Sequence, residues 1–163
     1  MGSPNLLAVI SMMIALRLIN RTTGGMPKIL DSLAITGLGV WLSLRGDWIY
    51  GLLIAAGFFL DSRLPIPKEQ NLIFSGIMAM ATIFIISITN INLPEISISL
   101  PELFIVIVVA LLFIPLIIDS RKIELFCDLP GETIDPLRLQ VCQIFAISAV
   151  ILVWLLNGRS GFS

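Results

Sequence analysis

Histidine is missing from all 163 residues of this chain. Its absence excludes His-ligated haem, histidine-containing metal sites, Ser–His triads and imidazole proton relays. Charge is scarce as well. Asp, Glu, Lys and Arg supply 13% of the residues, against roughly 25% in an ordinary soluble domain. A chain so poor in charge cannot cover a globule with wetted surface. With 10 basic and 11 acidic residues, no net field favours nucleic acid, and none is expected as a partner. Two cysteines, Cys127 and Cys142, are too few for a metal knuckle and are expected to be ordinary thiols. Neither a metal nor a cofactor is expected.

What remains is hydrocarbon. Hydrophobic residues make up 57% of the chain, gathered into six runs: Asn5–Ile19, Ile29–Leu44, Trp48–Leu60, Leu72–Thr89, Leu103–Ile118 and Leu139–Leu156. This is the pattern of an all-α, polytopic membrane bundle with about six short transmembrane segments in one domain, 1–163. The lipid bilayer is its first expected partner. At 1.5 Å per residue the second and third runs reach only about 24 and 20 Å, short of the roughly 30 Å hydrocarbon layer. Separated only by Arg45-Gly46-Asp47, they read either as two short crossings or as a re-entrant hairpin.

Both readings return the chain to the same side, so orientation follows from the basic residues. Arg17, Arg21, Lys28, Arg63, Lys68, Arg121, Lys122 and Arg138 share one face, and only Arg45 and Arg159 lie on the other. Because Lys and Arg are retained on the cytoplasmic side, both termini are expected outside. No basic residue precedes the first run, which is therefore expected to be retained rather than cleaved. Segment 119–138 is then the longest cytoplasmic loop, with Asp135 before Pro136 placed to cap the last helix. The stretch INLPEISISLP, residues 91–101, alternates between two prolines like a short extended piece at the outer interface. A bacterial-type plasma membrane or a thylakoid membrane is the expected setting.

Two groups of polar residues are candidates for function. Asp61-Ser62-Arg63 and Asp119-Ser120-Arg121 both close apolar runs on the basic face, and Asp31-Ser32 lies at the same level. Asp61, Arg63, Asp119 and Arg121 thus form a candidate charge cluster at the cytoplasmic interface, suited to a lipid phosphate or a cation; the plainer reading is that they anchor helix ends. Asp31 lies two residues inside the second run, where a carboxylate is costly unless partnered. With Gln140 and Gln143 it forms a candidate polar path or ion site, and the plainer reading makes Asp31 a helix cap. Gly51 and Ala55, like Ser75 and Ala79, have the four-residue spacing that lets membrane helices approach closely. Pro115 interrupts the fifth run and frees the carbonyl of Leu111.

FLDSRLPIPKEQNL, residues 59–72, resembles the Asp-x-Arg…Ile-Pro…Asn segment of prepilin-type aspartyl peptidases in Asp61, Arg63, Ile66, Pro67 and Asn71. That family's second aspartate sits in a downstream Gly-x-Gly-Asp motif absent from this chain, whose Gly46-Asp47 falls upstream on the opposite face. Two carboxylates on opposite sides of a bilayer cannot share a water, which excludes the assignment. The expected function is a non-catalytic membrane subunit or assembly partner of a larger membrane complex. The alternatives are a small transporter or channel with a path near Asp31, and a lipid-phosphate enzyme at the cytoplasmic interface.

Overall fold

An apolar stretch in lipid must satisfy its backbone N–H and C=O groups internally. In the computed structural model, which describes residues 6–21, 28–45, 48–89, 100–122 and 134–157, every apolar run does so as a helix. The order is α1 (Leu6–Asn20), α2 (Ile29–Leu44), α3 (Trp48–Arg63), α4 (Glu69–Thr89), α5 (Leu100–Asp119), continued by a 3₁₀ turn (Ser120–Lys122), and α6 (Pro136–Asn157). No strand occurs among the described residues. Three of these helices, α4, α5 with its 3₁₀ turn and α6, are long and apolar enough to cross a membrane. The stretch 91–99 and the pairing of Arg45 with Asp47 fall outside the described residues; Arg45 itself stacks on the Trp41 ring at 4.5 Å.

Helix ends are set by polar chemistry rather than by hydropathy. Lys28 stands in extended backbone before α2, and its N–H donates to Asp31 Oδ2 at 2.8 Å, closing the first turn. Asp135 caps α6, its Oδ1 accepting from the N–H groups of Leu137 (2.8 Å) and Arg138 (3.3 Å). The first helical position there is Pro136, where its missing N–H costs nothing. Pro115 lies inside α5, which runs on past it to Asp119.

The helices α1 to α4 form a body around α3, which packs on α1, α2 and α4. Ile49, Tyr50, Leu53, Ile54, Ala55 and Phe58 of α3 are all buried. Against α1 lies α6, through Cys142, Phe145, Ala149 and Val153. Beyond its own 3₁₀ turn, α5 has substantial contact only with α6, and it contains no buried residue. Hydropathy therefore does not rank burial here: α5, the most hydrophobic of the membrane-length helices, is the outermost element. Lipid tails are as apolar as a leucine core, so apolarity alone draws no helix inward.

Close approach at the centre of the body depends on Gly51. Ser75 Oγ donates to the Ala55 carbonyl at 2.8 Å, so α3 and α4 meet backbone to side chain along the small-residue stripe. Ser43 and Thr82 hydroxyls meet across α2 and α4, each also donating to its own helix. A Cβ at Gly51 would collide with both hydroxyl oxygens. Gly51→Ala is therefore expected to lower stability by about 1–3 kcal/mol through overpacking. Gly37→Ala and Gly76→Ala, whose methyls would enter open space, are expected to be neutral or stabilising. Thermal unfolding of the three variants in detergent checks the contrast.

Candidate functional site

The carboxylate of Asp61, at the last turn of α3, has no solvent exposure. Arg21 clasps it in a fork, Nε donating to Oδ1 at 2.8 Å and an Nη to Oδ2 at 2.9 Å. Arg138 adds a third bond to Oδ1 at 2.7 Å, and Asn71 Nδ2 a fourth, to Oδ2 at 2.7 Å. Each carboxylate oxygen thus accepts two bonds, which fills the roughly four acceptor positions of an ionised carboxyl group. Further along, Ser32 Oγ donates to Asn71 Oδ1 at 3.3 Å, bringing α2 into the same network.

Five helix ends and one loop supply these groups. Arg21 follows α1 in the left-handed backbone region, φ 50°, which turns it off the helix axis while its N–H still bonds the Arg17 carbonyl. Arg138 lies in the first turn of α6, where a cation opposes the helix dipole. It donates five hydrogen bonds to four acceptors: Asp61, the Ile19 carbonyl at 2.9 Å, the Pro65 carbonyl at 2.9 and 2.7 Å, and the Ile66 carbonyl at 3.3 Å. All three guanidinium nitrogens take part. Ile66, at φ 57°, also accepts from Arg21 at 2.8 Å. A left-handed β-branched residue is strained, and here the strain goes with a carbonyl presented to both arginines. The chemistry available to this carboxylate is that of an anchor, since every acceptor position is in use.

The expected charge cluster is dispersed. Asp61 is interior; Arg63, two residues on, is exposed with its guanidinium 5.5 Å from the Phe59 ring. Asp119 is exposed and pairs with Lys122 at 3.0 Å. Arg121 Nε donates to Gln140 Oε1 at 3.0 Å, and Gln140 Nε2 donates to the Ile117 carbonyl at 2.8 Å, so these two residues pin the start of α6 to the end of α5. Ser62 and Ser120 each donate to the carbonyl three residues back, at 2.6 and 2.7 Å. The repeated Asp-Ser-Arg therefore shares a local helix-end geometry while its aspartates have opposite environments.

Of the expected path residues, Asp31 is exposed and bonded to the Lys28 N–H, the capping geometry. Gln140 is buried at the α5–α6 junction, and Gln143 keeps a buried Oε1 that has no hydrogen-bond partner among the described residues. No bond joins Asp31 to either glutamine among the described residues. Among those residues, too, no three Asp, Glu or Cys side chains gather as a metal site.

Sequence reasoning missed Arg21, Asn71 and Arg138 as partners of Asp61. One signal was present for Arg138: a cation in the first turn of a helix is unfavourable and calls for a compensating acid. Breaking a buried ion pair from one side costs about 3–5 kcal/mol, because the other charge is stranded. Asp61→Asn is accordingly expected to destabilise the chain by that amount. Asp119→Asn, at an exposed pair, is expected to have almost no effect, and Asp31→Asn a small one. Equilibrium unfolding in mixed micelles measures all three.

Comparison with protein-family models, with curated proteins and with solved structures returns no match, so the reading of this site rests on its own geometry.

Proposed function

We propose that this chain is a non-catalytic integral membrane subunit that joins a larger membrane complex through α5. It crosses a bacterial-type membrane six times, with both termini outside and the basic rim in the cytoplasm. The observation that carries this reading is the contrast between two parts of the molecule. The body α1–α4 ties its buried carboxylate and hydroxyls to one another and to Arg138 of α6, whereas α5 keeps a whole apolar face uncovered: Phe104, Ile107, Leu111, Leu112 and Ile118 are all exposed. Membrane helices associate by close packing rather than by flight from water. A helix held at one edge by a single neighbour therefore offers a long surface to a second protein.

The orientation draws support from the basic residues and the Asp61 network together. Arg21, Arg138 and the loop carbonyls of Pro65 and Ile66 meet at one end of the bundle. That gathers the ends of α1 and α3 and the start of α6, which carry Arg17, Arg21, Arg63 and Arg138, in keeping with retention of cations on the cytoplasmic side.

Mild-detergent purification followed by mass spectrometry tests the function. The wild type is expected to bring down other membrane proteins in fixed proportion, and Leu111→Trp, which alters only the outward face of α5, is expected to lose them while remaining folded. A wild type that purifies alone as a stable, monodisperse species contradicts the reading. Orientation is tested separately, in a background lacking Cys127 and Cys142. A cysteine at Gly46 is expected to react with an impermeant maleimide added outside cells, and one at Lys68 only after the membrane is opened.

A further inference from the structure

Contacts between the helices fix how far along the bundle each one reaches. Ser32 meets Asn71 and Ser43 meets Thr82, both at a separation of 39 residues, and a Cβ at Gly39 would touch Met78 at the same separation. Helices α2 and α4 therefore run parallel and in step. Beside them α3 returns antiparallel, through Asp61 with Asn71, Ala55 with Ser75 and Gly51 with Thr82. On its other side, α1 runs parallel to α3, with Arg21 on Asp61 and Ala15 beside Gly57. Against α1, α6 is antiparallel, with Arg138 on the Ile19 carbonyl and Cys142 on that of Leu16.

At the Asp61 end the helices start level: Ile29, which opens α2, stands at the height of Lys68, just before α4. The far ends are not level. By the same register Arg45 stands at the height of Phe84, and α4 continues to Thr89, about five residues or roughly 7 Å further. Carried across α1, the contacts put Trp48 at the start of α3 near the height of Ile151. From there α6 continues to Asn157, about six residues or roughly 9 Å further. Both projecting stretches suit hydrocarbon: 152–156 reads LVWLL, and in 85–89, IISIT, the Ser87 and Thr89 hydroxyls donate to carbonyls of their own helix. One end of the bundle is stepped.

A charge stands at the foot of the step. Arg45 is exposed, and its guanidinium lies 4.5 Å from the Trp41 ring, one turn back along α2. The side chain thus folds toward the bundle's middle, where snorkelling would carry it outward. Its cation lies between the heights of Met80 and Phe84, two exposed apolar residues of α4. A cation in hydrocarbon at that depth is costly. Tilting cannot lift the turn, because α2 and α3 are locked in step with α4. Among the accommodations open to a short crossing, a thinner bilayer is the one left.

We infer that this protein thins the bilayer over its α2–α3 turn: phospholipid headgroups and water of the outer leaflet descend to Arg45, while the bilayer keeps its full depth beside α4 and α6. The inference rests on α2 and α3 crossing the membrane, as in the six-crossing reading, and is separate from the attachment of a partner to α5.

Matched spin labels test it, in the full chain lacking Cys127 and Cys142 and reconstituted into dioleoylphosphatidylcholine vesicles. Leu44→Cys and Ile83→Cys place labels at one height on side chains of equal exposure, 57% and 58%. Collision with a nickel chelate, relative to oxygen, is expected to be several-fold more frequent at 44 than at 83. Near the Asp61 end, labels at Leu33→Cys and Leu72→Cys, also exposed and in the same register, are expected to agree. Equal values at 44 and 83 overturn the proposal: hydrocarbon at both means that headgroups do not descend, and water at both means that the bilayer has no step. Disagreement between 33 and 72 overturns it too, because the register then does not set depth. Should a labelled variant fail to fold, Trp41→Cys against Met80→Cys repeats the comparison. The crossing is judged apart, by the cysteine at Gly46. If that thiol reacts with impermeant maleimide from outside while 44 and 83 agree, thinning fails and the crossing stands; if it cannot be reached from outside, the crossing itself fails.

Discussion

The meeting of α1, α3, α4 and α6 at one end of the bundle turns on one fully buried carboxylate. An ionised carboxyl group withdrawn from water is costly unless its charge and all its lone pairs are met. Asp61 meets that requirement with two arginines and an asparagine drawn from α1, α6 and α4. In doing so it fixes where those helices end relative to α3. The arginines in turn need acceptors for their remaining N–H groups, and the loop carbonyls of Pro65 and Ile66 provide them. The left-handed turn at Ile66 is therefore part of the same interaction, and so is the placement of α6 on the α1 side of the body.

The two ends of the bundle are held by different chemistry. At the Asp61 end, charge-assisted bonds specify partners by geometry. Toward the other end of α2 and α4, the contacts are hydroxyls and small residues, with Ser43, Thr82 and Gly51 allowing backbones to approach. Two apolar clusters centred on α3 join them, one shared with α1, α6 and Leu42 of α2, the other with Leu18 of α1 and with α4. The α5 helix participates in neither. Among the described residues it is attached by a pair of polar contacts at one end, and its residues 105–113 line an apolar cleft against α6.

Much of the architecture was legible in the residues. All six apolar runs are helices, and α2 has the bounds that its run predicts, Ile29–Leu44. Elsewhere the helices outrun the apolar stretch: α3 extends to Arg63, α4 starts at Glu69 and α6 at Pro136. Hydropathy marks what lipid tolerates, whereas caps and turns decide where a helix stops. The Asp135 cap and the capping position of Asp31 could be read locally for the same reason. The Asp61 network could not. Its arginines lie 40 and 77 residues away in sequence, and no periodicity couples positions so far apart. The count of basic residues on one side recorded Arg21 and Arg138 only as topological charges. Burial order was equally hidden, since a run of isoleucine and valine looks the same facing a neighbour or facing acyl chains.

The central claim is that Asp61 and Arg138 act as one energetic unit tying α6 to the body. A double-mutant cycle with Asp61→Asn, Arg138→Gln and the combined variant, followed by reversible unfolding in mixed micelles, tests it most directly. A coupling free energy of about 1–3 kcal/mol is predicted, with the double variant losing that much less than the sum of the two single losses. Additive losses, within about 0.5 kcal/mol, would mean that the two side chains contribute independently and that something else holds α6 in place.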